Sequence, residues 1–235
     1  MKRKALNAMT LASFALVVML AAGWPAQAQD AKTPYPSMAP LDQYLMERDA
    51  EITLARSAAP DSISRDAEVM VLGQHGYETA AEGKNGFVCL VERSWDAAVD
   101  FPEFWNPRMR APHCFNAAAA RSYVPLTVRK TKLILATRSK DEMVKGVKAA
   151  FDRKELPPPE LGAMVYMMSK QGYLNDSAGH WHPHLMFYLP PTDPATWGSG
   201  LPGAPVFSAS DDLGRMTVFM VPVGKWSDGT SANEH

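Results

Sequence analysis

Three histidines occupy alternate positions, His180, His182 and His184, in the stretch GHWHPHLMFYLPP of residues 179–191. In an extended chain, alternate side chains share one face about 6.5 to 7 Å apart. The spacing therefore predicts a strand with all three imidazoles on one side, followed by Met186 and Tyr188. Trp181, Pro183, Leu185, Phe187 and Leu189 take the other side. Pro183 has no amide donor, which puts this stretch at a strand entrance, an edge or a bulge.

Neutral imidazoles ligate copper, zinc, nickel and iron. The trio is thus read as a transition-metal site, with copper or zinc favoured and a further ligand available from His75, His113, Glu82, Met186 or Tyr188. Three kinds of function follow: capture of a metal ion in envelope metal handling, a small-molecule metalloenzyme, and a structural or protein-binding envelope factor. In the enzyme, an open coordination position would activate water, with Glu82 or Asp176 moving protons. Without a metal, one near-neutral imidazole would act as a general base in a small-molecule pocket. In the third, the histidines only bond to backbone or phenol groups.

The chain has no HExxH, zinc-type cysteine cluster, calcium loop or GxSxG elbow, so the common classes built on those motifs are not indicated. Arg108 and Arg110 could meet an anion, although arginines more often pair with acids at a surface. Six methionines, Met164, Met167, Met168, Met186, Met216 and Met220, concentrate in strand-like runs and read chiefly as core fillers.

The first residues read as an export signal over 1–28: basic MKRK, an apolar run, then AQA at a cleavage point. Residues 29–40 form an extended leader, 41–227 a single domain and 228–235 a flexible tail. The mature chain is expected in the periplasm or secreted, with no integral membrane segment. Loss of Lys2, Arg3 and Lys4 takes the formal charge from −1 to −4. Mild acidity without a basic stripe gives no grip on nucleic acid. A metal ion or small-molecule ligand is the expected partner.

Two cysteines in an exported chain allow one intramolecular bridge, Cys89–Cys114. Buried free thiols, or a reactive Cys114 beside His113, are the alternatives.

The elements that must position these groups read as follows. A first helix covers 41–59. AEVMVL, GYETAAE and GFVCLVE make an antiparallel meander over 68–92, with a turn at Asn85–Gly86. Residues 94–125 form a long packed loop enclosing a short helix. Two helices follow in 127–138 and 139–156, the second capped by Ser139 with Glu142. Strands are expected in 162–174, where a helix is the alternative, and in 214–226, separated by the histidine strand and a proline-rich loop. Helices and strands do not alternate regularly, and no period repeats. The fold expected is α+β: an antiparallel sheet with packed helices and long proline-rich loops.

Overall fold

A computed structural model describes residues 34–179 and 181–232. The expected export signal at 1–28 and His180 lie outside the described residues.

Eight strands form a single sheet: β1 (Glu68–Gly73), β2 (Gly76–Ala81), β3 (Val88–Glu92), β4 (Ala111–Phe115), β5 (Met164–Met167), β6 (His184–Leu189), β7 (Phe207–Asp211) and β8 (Met216–Pro222). Their spatial order is β2-β1-β3-β4-β5-β6-β8-β7. Every neighbouring pair is antiparallel except β1 and β3. Among the described residues, five α-helices accompany the sheet: α1 (Arg48–Arg56), α2 (Asp61–Ser64), α3 (Ala117–Ser122), α4 (Val124–Thr137) and α5 (Lys140–Asp152). The α+β expectation holds.

Four local readings change. The meander breaks after its first hairpin, because β3 crosses to the far side of β1 and runs parallel to it. The connection passes directly beneath the start of β1: the Glu68 amide donates to the Phe87 carbonyl and the Lys84 amide to the Asp66 carbonyl. A Cβ at Gly83 would collide with the Glu68 backbone, so only glycine allows this crossing. The first helix is interrupted. Buried Tyr44 donates its hydroxyl to the Trp105 carbonyl and accepts Arg93 Nε at its own carbonyl. The chain therefore restarts as α1, where the Glu47 carboxylate accepts the Asp49 and Ala50 amides. The loop of 94–125 contains β4, all five of whose residues are buried. An edge strand, β7, emerges from the proline-rich stretch. Of the capping box read at Ser139 and Glu142, the Ser139 half is present, its hydroxyl accepting the Glu142 amide, while the Glu142 carboxylate accepts Lys145.

Side-chain alternation divides the sheet into two packed faces. Val69, Cys89, Val91 and Cys114 meet Leu54 and Ala55 of α1. Leu90, Phe115, Val165 and Tyr188 point the opposite way, against Tyr123, Leu126 and Ile134. Cys89 and Cys114 face each other across β3 and β4 and form the disulfide, with Cα atoms 4.0 Å apart. The bridge thus joins two adjacent strands rather than tying a sheet to a loop.

Candidate functional site

The strand that carries Cys89 ends on an acid. Parity with Val88 and Leu90 turns Glu92 to the α4 side of the sheet, while Val91 and Arg93 turn toward α1. Arg93 is fully buried and finds its partner there, with Nη2 donating to Glu51 Oε1 at 2.9 Å. Glu92 meets a different set. Its Oε1 accepts the Thr127 hydroxyl at 3.0 Å, and its Oε2 lies 3.5 Å from His113 Nε2. Thr127 belongs to a stripe on α4, Thr127, Lys130, Thr131 and Ile134, whose spacing puts it on one helix face. That stripe is buried yet mostly polar, because it faces the end of β3 rather than its apolar middle.

Next to Glu92 a 3-10 turn (Ser94–Asp96) brings in a second carboxyl. Asp96 Oδ2 accepts the Arg93 amide at 3.2 Å, whereas Oδ1 has no hydrogen-bond partner. Lys130 Nζ donates to the Asp96 carbonyl at 3.2 Å. His113, on β4, has its Nδ1 2.8 Å from the Ala111 carbonyl. That contact requires a proton on Nδ1 and leaves the Nε2 lone pair facing Glu92.

Burial dominates the electrostatics of this group. It pushes the Glu92 carboxyl up to about 7, against the pull of Lys130 and the Thr127 hydrogen bond. It raises Asp96 well above the carboxylate range, with the Glu92 charge adding to the effect. It takes His113 down to about 4. Each shift disfavours the charged form, as loss of water should.

These residues close one end of a cavity of about 300 Å³ on the sheet face. The rest of its lining is mostly soft and apolar, chiefly Met109, Met167, Trp181, Met186 and Met220, with His184, Ser210 and Asp211 as its polar members. Register explains the convergence: Met186 lies opposite Met220, and Tyr188 opposite Val218, so alternate residues of β6 and β8 present one surface. Trp181 is held against Gly172, where a Cβ would run into the indole Cη2 and Cζ2.

The histidine stretch contributes part of this wall. His184, Met186 and Tyr188 share the cavity face, as alternation predicts. The alternation does not extend back through the proline, because β6 begins only at His184. Trp181 consequently lines the same cavity as His184 instead of facing away, its ring edge-on to the imidazole with centroids 6.4 Å apart. His182 is exposed, and its carbonyl lies 2.7 Å from His184 Nδ1. Desolvation lowers the His184 pKa. Among the described residues, no three His, Cys, Asp or Glu side chains stand close enough to hold a metal ion.

Other candidates lie elsewhere. His75 and Glu82 are exposed. Asp176 is the centre of an exposed network, accepting from Tyr35, Tyr173, Asn106 and Arg108. Arg110 donates to the carbonyls of Pro107 and Met109. Glu92, Asp96 and Lys130 are not among the residues singled out from the sequence, where His113 stands as a possible further metal ligand and as the neighbour of a reactive Cys114. One signal was present: an acid at an inward-facing position of the strand GFVCLVE, where solvent-side alternation does not place it.

No family model, curated protein or solved structure matches the chain.

Proposed function

We propose that the chain binds a small, largely apolar molecule in the sheet-face cavity, with the molecule's polar group set against Glu92, Asp96 and His113. One observation carries this reading: an apolar cavity of about 300 Å³ ends on three buried ionisable side chains instead of closing as hydrophobic core. Burying such groups costs several kcal/mol each unless they are paired. Their concentration in a concave apolar site is the usual mark of a ligand-binding or catalytic pocket. Glu92 beside the His113 lone pair also supplies a proton donor and acceptor within reach of the ligand, the equipment of general acid–base chemistry.

Calorimetric titration with arylalkyl alcohols, amines and carboxylic acids tests the reading. Saturable binding of at least one class, abolished by Val218→Phe, which narrows the cavity from β8, supports it. Failure of all three classes overturns it.

A copper or zinc site is the second reading. It is favoured by the way Nδ1 of both His113 and His184 meets a backbone carbonyl, the arrangement that leaves Nε2 free to ligate. Metal binding that is lost on His184→Ala would support it. Placement in the periplasm or outside the cell belongs to the same proposal, supported by the export-like residues 1–28 and by a disulfide of the kind that oxidising compartments maintain.

A further inference from the structure

We infer that the polar group of the bound molecule is a protonated primary amine, held by Glu92 and Asp96 with its apolar body among Met167, Trp181, Met186 and Met220. The inference rests on the small-molecule reading above and names the ligand class.

The cavity wall is rich in acceptors and poor in cations. Three carboxyl groups line it, Glu92, Asp96 and Asp211, and among the described residues no lysine or arginine does. The buried ammonium of Lys130 nearby is engaged with the Asp96 carbonyl. A carboxylate ligand would oppose ionisation of Glu92 and, once Glu92 is ionised above about 7, would meet like charge in a medium that screens poorly. An alcohol would bring a single donor and no charge. A primary ammonium brings three donors and one positive charge.

An independent observation points to a missing donor. Asp96 is 5 % exposed, and its Oδ1 has no hydrogen-bond partner. Burial favours the protonated form of this carboxyl, and an ammonium beside it would supply both the missing hydrogen bond and the charge that favours the carboxylate. Glu92 Oε2 and the His113 Nε2 lone pair, 3.5 Å apart, offer two further acceptors at the same end of the cavity. The aromatic side chains of Trp181, Tyr123 and Tyr188 complete a lining that suits a cation on an apolar stem.

The pH dependence has a definite sign. Glu92 is faced by His113 from β4, by Asp96 from the 3-10 turn, by Lys130 and Thr127 from α4 and by Asp211 from β7. Burial keeps the nearby phenols of Tyr123 and Tyr188 neutral. In the free protein Glu92 therefore exchanges its proton near 7. An ammonium requires the carboxylate, so amine affinity rises as pH increases through that value, whereas a neutral ligand lacks this gain.

The test compares phenethylamine, phenethyl alcohol and hydrocinnamic acid by calorimetry, in the wild-type chain and in the isosteric variants Glu92→Gln and Asp96→Asn. The amine should bind about tenfold or more tightly than the alcohol, and the acid most weakly. Asp96→Asn should weaken the amine about tenfold while changing the alcohol by no more than about twofold. Glu92→Gln should remove the rise in amine affinity with pH. Alcohol binding equal to or tighter than amine binding would overturn the amine assignment and leave the cavity reading standing. Binding of none of the three would overturn both. The wild-type comparison decides the matter even if a variant fails to fold.

Discussion

Glu92 Oε2 stands 3.5 Å from His113 Nε2, and both side chains are buried in the sheet face. Burial moves the two groups in opposite directions, the carboxyl up to about 7 and the imidazole down to about 4. Between those values both are neutral, and a protonated carboxyl faces an imidazole lone pair. Neutrality is the least costly way to keep two such groups out of water.

Stability should record this. The Glu92 carboxyl ordinarily titrates at 4.5, so from there to about 7 the unfolded chain loses its proton while the folded chain keeps it. Its contribution to stability is complete below 4.5 and is lost as pH rises through 7, to a total of about 3 kcal/mol. Urea denaturation of Glu92→Gln and wild type at pH 5 and pH 8 checks this. The variant should gain relative to wild type at the higher pH, and parallel behaviour would contradict the account.

His113 contributes the opposite limb. Its folded value of about 4 lies below the ordinary 6.5, so acid protonates the unfolded chain first and stability falls as pH drops across that interval. In His113→Asn the acid loss should be shallower than in wild type when the same denaturation series is extended downward.

Gly172→Ala should disturb the cavity without touching an ionisable group. The added methyl would occupy space now taken by the Trp181 indole. Overpacking of this kind costs about 1 to 3 kcal/mol. Altered tryptophan emission with weaker ligand binding is the expected result; unchanged emission and affinity would mean that Trp181 does not rest on this glycine.

Removing the Cys89–Cys114 bridge should cost about 3 to 4 kcal/mol, the chain-entropy value for a loop of this length. Both residues are fully buried, so the folded chain should resist reductants that act readily on the unfolded one. Denaturant midpoints of the Cys89→Ser, Cys114→Ser double variant measure the first effect, and thiol labelling under native conditions the second.

Glu51→Ala should destabilise by about 3 to 5 kcal/mol, because it strands the fully buried Arg93 guanidinium. Glu51 also accepts the Leu72 amide at 3.1 Å, so α1 loses its tie to β1 as well. A change below about 1 kcal/mol in chemical denaturation would contradict this role for the pair.

The elements legible in sequence were those with a strong local signal. The capped helix α5, the two strands β1 and β2 and the apolar strands β6 and β8 follow from period and cap, whereas the Asn85–Gly86 turn lies in the crossing from β2 to β3 and closes no hairpin. The crossing from β2 to β3 beneath the start of β1 depends on Gly83 packing against Glu68, a contact that no local pattern records. The candidate site was half legible for the same reason. His184, Met186 and Tyr188 share a strand, so alternation places them together. Glu92, Asp96, His113 and Lys130 come from β3, a 3-10 turn, β4 and α4, and only sheet register and helix packing bring them to one end of a cavity. Trp181 lines the wall against its parity because the chain before His184 is not a strand.

Methionine methyl groups offer the most direct test of a ligand cavity on this sheet face. Met109, Met167, Met186 and Met220 line it, whereas Met46 and Met143 pack elsewhere. With isotope-labelled methionine methyls, titration with phenethylamine or phenethyl alcohol should shift the first four resonances and leave Met46 and Met143 in place. Unmoved cavity methyls at saturating ligand, or shifts confined to methionines outside the cavity, would contradict the account.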